Sequence, residues 1–109
     1  GSPIGASPIN LPLEGDFHRD VPKVMSVEEI EIIIDKVANA AVRARQSGFD
    51  GVDINAGSSH LFHNFISPFW NKRTDAYGGD QTKRAKLLTD TVREIKKRAG
   101  ADFPVTVCF

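Results

Sequence analysis

The chain has 109 residues, 40% of them apolar and 26% charged, and its 14 basic and 14 acidic residues cancel to a formal charge of zero. That length holds one small domain with a modest core, and the charge balance excludes the electrostatic footprint of a nucleic-acid or anionic-membrane binder. Cys108 is the single cysteine, which excludes a disulfide scaffold or multi-cysteine metal centre within this window. No apolar run approaches the roughly 20 residues of a membrane span, and no secretory signal is read in the first residues; a cytoplasmic setting is expected.

Residues 1–25 open with Gly1-Ser2-Pro3-Ile4-Gly5-Ala6-Ser7-Pro8-Ile9 and are expected as loop. Ser26-Val27-Glu28-Glu29 is a capping box that starts a helix over 26–48. Ile30, Ile33, Ile34, Val37, Ala38 and Ala41 recur at helical spacing and face a core. Arg43 and Arg45 suit the last turn, and Gly48 is the stop. A strand is expected over 51–55, followed by an irregular segment over 56–79. Asp80 or Thr82 can cap a second helix over 80–99, which carries Leu87, Leu88, Thr91, Val92 and Ile95 and stops at Gly100. A β-branched strand over 104–109 ends the chain.

Helix, strand, helix and strand in that order indicate an α/β fold, either a doubly wound sheet or a (β/α)8 barrel. No G-x-G-x-x-G follows the first strand, which weighs against dinucleotide binding. In a barrel, chemistry sits on the loops after the strand C-termini, and the long 56–79 segment leaves from such an end at Asn55. Segments beyond roughly 12–15 residues are usually functional or disordered, and this one is too aromatic for disorder. A barrel needs about 250 residues, so the chain is expected to be a fragment.

Gly48-Phe49-Asp50-Gly51-Val52-Asp53-Ile54, Phe65-Ile66-Ser67-Pro68 and Asn71-Lys72-Arg73-Thr74-Asp75-Ala76-Tyr77-Gly78-Gly79, followed by Arg84, resemble the Old Yellow Enzyme family of FMN-dependent NAD(P)H oxidoreductases. The family includes enoate and 2,4-dienoyl-CoA reductases. The resemblance implies part of a (β/α)8 TIM barrel, from the loop after the third strand through the fifth strand. It also implies FMN as cofactor, NAD(P)H as reductant and a small-molecule substrate, and it puts any 4Fe-4S cluster outside this window. The remainder of the barrel then comes from the parent chain or a partner chain, and homo-oligomerisation stays open.

The fourth strand of that family ends in a pattern like H-x-x-H/N-x-Y, and the matching positions here are Asn55, Ser58 and His60. All three have changed and all three remain able to hydrogen-bond. The resemblance implies that Asn55 and Ser58 bind substrate and that His60 takes the catalytic role of proton donor, which an imidazole can fill. Cys108 stands at the cofactor-binding position where the family usually has an arginine beside the flavin. A cation there stabilises reduced flavin, so its loss lowers the potential unless another group substitutes.

Each of these residues has a plainer reading. Asn55 can serve its own loop through an Asx-type turn, Ser58 can allow a tight turn, and His60 can be hydrogen-bonded without chemical role. His60 and His63 have the spacing of a zinc pair, but no third ligand joins them, and no metal is expected. Leu61, Phe62, Phe65, Ile66, Phe69 and Trp70 are expected mostly as the core of a short helix. Arg73, Asp75 and Arg84 are expected to support the site by knitting the loop. The leading function is hydride transfer from reduced flavin to an activated C=C. The alternatives are a non-catalytic barrel segment and a metal-dependent barrel hydrolase.

Overall fold

The structure, a computed structural model, describes residues 4–9, 22–58 and 60–109. Residues 1–3 and 10–21, including His18, lie outside the described residues. The 1–25 stretch expected as loop contributes two short strands, β1 (Ile4–Gly5) and β2 (Lys23–Val24), paired in parallel with Ile4 opposite Lys23. Two residues are too few to show the alternation by which a strand is read from sequence.

Helix α1 (Val27–Gln46) starts at the capping box: Glu29 N–H donates to Ser26 Oγ at 3.1 Å, and Ser26 N–H donates to Glu29 Oε1 at 3.3 Å. It ends at Ser47, after which Gly48 takes φ +92°, a conformation that strains any residue with a Cβ. Strand β3 (Val52–Asn55) follows. Within the 56–79 loop, the apolar run expected as the core of a short helix forms the helix α2 (Leu61–Ile66), while Phe69 and Trp70 lie beyond its end. The single helix expected over 80–99 is two, α3 (Gln81–Arg84) and α4 (Lys86–Ala99), parted at Ala85, whose ψ of −7° tightens the turn. Asp80 is the cap, accepting from Lys83 N–H at 2.9 Å. Strand β4 (Val105–Cys108) then pairs in parallel with β3.

Helices α1 and α4 cover one face of the β3–β4 pair. Ala38 and Ala41 of α1, Ile54 of β3, and Leu88, Ile95 and Ala99 of α4 form one buried cluster with Phe103. A second cluster joins the N-terminal segment to the 56–79 loop through Ala6, Met25, Ile30, Phe65, Tyr77 and Leu87. Apolar burial of this kind supplies most of the folding free energy. Ion pairs frame it: Arg98 bridges Asp35 of α1 at 2.7 Å and Glu94 of its own helix at 2.8 Å. Arg45 joins Asp102 at 2.8 Å and the Ala99 carbonyl at 2.7 Å.

Strand alternation assigns the two sheet faces. Val52, Ile54, Val105 and Val107 pack with the helices, whereas Asp53, Asn55, Thr106 and Cys108 lie on the opposite, exposed face.

Candidate active site

That second face is polar, and parallel register orders it in layers. Asp53 stands opposite Thr106, whose hydroxyl donates to its Oδ1 at 2.7 Å, and Asn55 stands opposite Cys108 at the C-terminal end of both strands. The ladder continues one step further, with Ala56 N–H donating to the Cys108 carbonyl at 2.7 Å.

The chain then turns sharply. Gly57 N–H donates to Asn55 Oδ1 at 3.1 Å, the geometry of an Asx-type turn. A Cβ on Gly57 would lie 2.8 Å from the Phe109 backbone carbon, so only glycine lets the loop pass this close to the end of β4. Ser58 sits at φ +53°, an uncommon conformation for a residue with a side chain. His60 N–H reaches back to the Gly57 carbonyl at 3.2 Å, and the exposed His60 opens α2 without capping it through its side chain. Asn55, Cys108, Ser58 and His60 thus belong to one end of the β3–β4 pair.

Arg73, Asp75 and Arg84 lie at the other end of the 56–79 loop. Arg73, with a side chain only 6% exposed, grips both Asp75 oxygens at 3.1 and 2.6 Å and donates to the Met25 carbonyl at 2.6 Å. Its guanidinium also lies over the Phe65 ring, 5.6 Å from the centroid. Hydrogen bonding from Arg73 holds the Asp75 carboxyl below its ordinary pKa against the opposing effect of burial. Arg84 donates to the Ile66 carbonyl at 2.9 Å and to the Gly79 carbonyl, closing the loop on α3.

Three polar residues that the sequence reading did not single out complete this frame. Buried Asn71 donates to the Phe65 and Tyr77 carbonyls at 2.7 and 2.8 Å, and its Oδ1 accepts from Arg73 N–H at 3.0 Å. Asn64 Oδ1 accepts from Ala6 N–H at 2.8 Å, and Ser7 Oγ accepts from Lys72 N–H at 2.8 Å. Only Asn71, opening the N-K-R-T-D run, sits in a stretch that sequence could have flagged.

As for cofactors, no cluster of three or more His, Cys, Asp or Glu suited to a metal occurs among the described residues. Asn55 Nδ2 has no hydrogen-bond acceptor among them, and Cys108 is exposed beside it. An amide donor and a thiol at paired strand ends fit the polar edge of a flavin ring and its substrate, with the thiol as a contact that brings no cation. No helix among the described residues is long and apolar enough to cross a membrane.

The sequence profile of the NADH:flavin oxidoreductase / NADH oxidase family matches residues 5–109. The chain is 35% identical over 107 residues to an NADH oxidase of Thermoanaerobacter brockii, covering 98% of this chain and 16% of that protein. It is 36% identical to a cinnamate reductase of Clostridium sporogenes, covering 95% and 16%. Among solved structures it is similar to a 2-naphthoyl-CoA reductase bound to 2-naphthoyl-CoA, with TM-score 0.89, 32% identity, and coverage of 97% of this chain and 16% of that one. The chain therefore spans about a sixth of the length of these relatives.

Proposed function

Because the chain belongs to the NADH:flavin oxidoreductase / NADH oxidase family and folds as a segment of its (β/α)8 barrel, we propose that it contributes the substrate side of an FMN-dependent NAD(P)H oxidoreductase that reduces a C=C conjugated to a carbonyl. The observation that carries this reading is the register of Asn55 with Cys108. It sets an amide donor and a thiol side by side at the strand ends, and in a barrel the chemistry is built on such ends.

FMN, when bound, supplies hydride drawn from NAD(P)H. The residues of this chain do the rest. Asn55 and Ser58 hold the substrate carbonyl and draw electron density from the C=C, and His60 delivers the proton to the neighbouring carbon. Arg73, Asp75, Arg84 and Asn71 hold the loop that carries these groups. Relatives that reduce cinnamate or bind 2-naphthoyl-CoA favour a substrate with a carbonyl conjugated to unsaturation. The remaining barrel units are supplied by the parent chain or a partner.

A second reading, a barrel segment without chemistry, is favoured by one observation: Asn55 Oδ1 already serves the loop through Gly57. Absorption spectra of the purified intact protein, before and after anaerobic NADPH or NADH, separate the two. Flavin bands that bleach support the reductase. A colourless protein that takes up no added FMN sinks it.

A further inference from the structure

Helices α1 and α4 lie against Val52, Ile54, Val105 and Val107. In the barrel the other face of β3 and β4 therefore points inward, where side chains stack in enclosed layers. The outermost layer is Asn55 with Cys108, and the layer beneath it is Asp53 with Thr106. The two layers are two residues apart along each strand, or about 6.6 Å. Thr106 Oγ1 donates to Asp53 Oδ1 at 2.7 Å. Oδ2 meets no donor, and the carboxylate meets no cation, among the described residues. Asn55, Thr106 and Cys108 bring no positive charge to this face. Enclosing a carboxylate with a single neutral hydrogen bond is strongly unfavourable, and enclosed charges are as a rule paired.

We propose that Asp53 and Thr106 form the docking point for a basic side chain, a lysine ammonium or an arginine guanidinium, that projects from another strand of the barrel and closes an ion pair on Asp53 Oδ2. The charge of the face sets the partner's sign, and the register sets its height, one layer below the Asn55–Cys108 end. Thr106 occupies one carboxylate oxygen and the cation takes the other. The pair joins this segment to the rest of the barrel and makes the floor on which the outer layer stands. It needs the barrel alone, and holds whether or not the site works as a reductase.

Urea unfolding of the intact protein tests this with Asp53→Asn, which keeps an oxygen for Thr106 and removes the charge. With a cation opposite, the variant leaves that cation enclosed and unpaired. Its unfolding equilibrium then shifts by about a hundredfold or more towards the unfolded state. A stabilised variant overturns the inference, as does a loss no larger than the roughly fivefold worth of one hydrogen bond. A crystal structure of the wild-type intact protein decides even if Asp53→Asn fails to fold. A lysine or arginine nitrogen within about 4 Å of Oδ2 is expected there, and water or apolar side chains in its place overturn the inference. Flavin bleaching by NAD(P)H is a separate readout. A paired Asp53 in a protein that does not bleach leaves the ion pair standing and removes the reductase reading.

Discussion

Arg73 donates from its guanidinium to the backbone carbonyl of Met25 at 2.6 Å, tying the far end of the 56–79 loop to the residue that leads into the cap of α1. The same side chain clamps Asp75 and lies over Phe65, so one cation joins the N-terminal segment, α2 and the loop. The loop is thus anchored at a distance from the Asn55–Cys108 pair, and its long excursion combines a rigid base with a small polar end.

The first prediction concerns that base. Arg73→Ala leaves the Met25 carbonyl without its partner and Asp75 without its cation, and the intact protein should lose about 2–4 kcal/mol in urea unfolding. Arg73→Lys recovers only part of this, because an ammonium cannot grip both carboxylate oxygens and reach Met25 in one plane. Equal stability of wild type and Arg73→Ala would show that the clamp contributes nothing.

Asp75 gives the loop a pH dependence. Its folded pKa lies below the ordinary value of 3.8 because Arg73 stabilises the carboxylate. A group depressed in this way adds stability above its unfolded pKa and loses it as pH falls through the folded one. Asp75→Asn should therefore lower the melting temperature near pH 7, and the gap from wild type should close below about pH 4. A gap that persists unchanged to pH 2 would assign the effect to packing instead.

Asn71 and Gly78 show where sequence stops being informative. The α1 cap was legible because Ser26 and Glu29 are three residues apart and act on each other. The parallel pair was legible because β-branched runs followed a helix each time. Asn71 bonds Phe65 and Tyr77, six residues away on either side, through a fold in the loop that no local pattern encodes. Ala6, Ser7 and Met25 meet residues 64–73 across roughly half the chain, and such contacts follow from tertiary packing alone. At the site, the Asx-type reading of Asn55 stood in the sequence beside the substrate-binding one; the Gly57 contact engages one end of the amide and leaves the other.

Gly78 yields a prediction from the same region. A Cβ there would lie 2.5 Å from Arg73 Cβ and 2.8 Å from Asn71 Oδ1, atoms held by the network just described. Gly78→Ala should cost about 1–3 kcal/mol, whereas Gly79→Ala costs mainly the strain of its φ of +107°. Comparing the two variants by thermal unfolding separates steric crowding from backbone strain. A Gly78→Ala protein as stable as wild type would mean that Arg73 and Asn71 can give way.

Cys108 carries the prediction for the cofactor side. Placing a guanidinium opposite Asn55 adds a positive charge at the strand end, which favours the more negatively charged reduced cofactor. Cys108→Arg should raise the FMN reduction potential of the intact protein by tens of millivolts, 30 mV corresponding to about 1.4 kcal/mol for a two-electron couple. Cys108→Met, a neutral change of similar reach, should leave it nearly unmoved. Identical potentials in all three proteins would remove Cys108 from the cofactor's surroundings.

His60 is the residue on which the proposed reaction turns. Its backbone is fixed by the Gly57 carbonyl on one side and by Asn64 N–H, at 2.8 Å from its own carbonyl, on the other, while its side chain takes no part in capping α2. The imidazole is exposed and makes no cap bond to α2, which suits the proton-donor role proposed for it. His60→Phe should leave reduction by NADPH at its wild-type rate, since that step needs no proton from the protein. It should slow reoxidation by an α,β-unsaturated ketone by roughly 10²–10⁴-fold, the usual contribution of a positioned general acid. Stopped-flow measurement of the two half-reactions gives the answer directly. Loss confined to the oxidative half identifies the proton donor, loss in both halves marks a disturbed site, and no loss in either transfers the proton to water or to a residue from another part of the barrel.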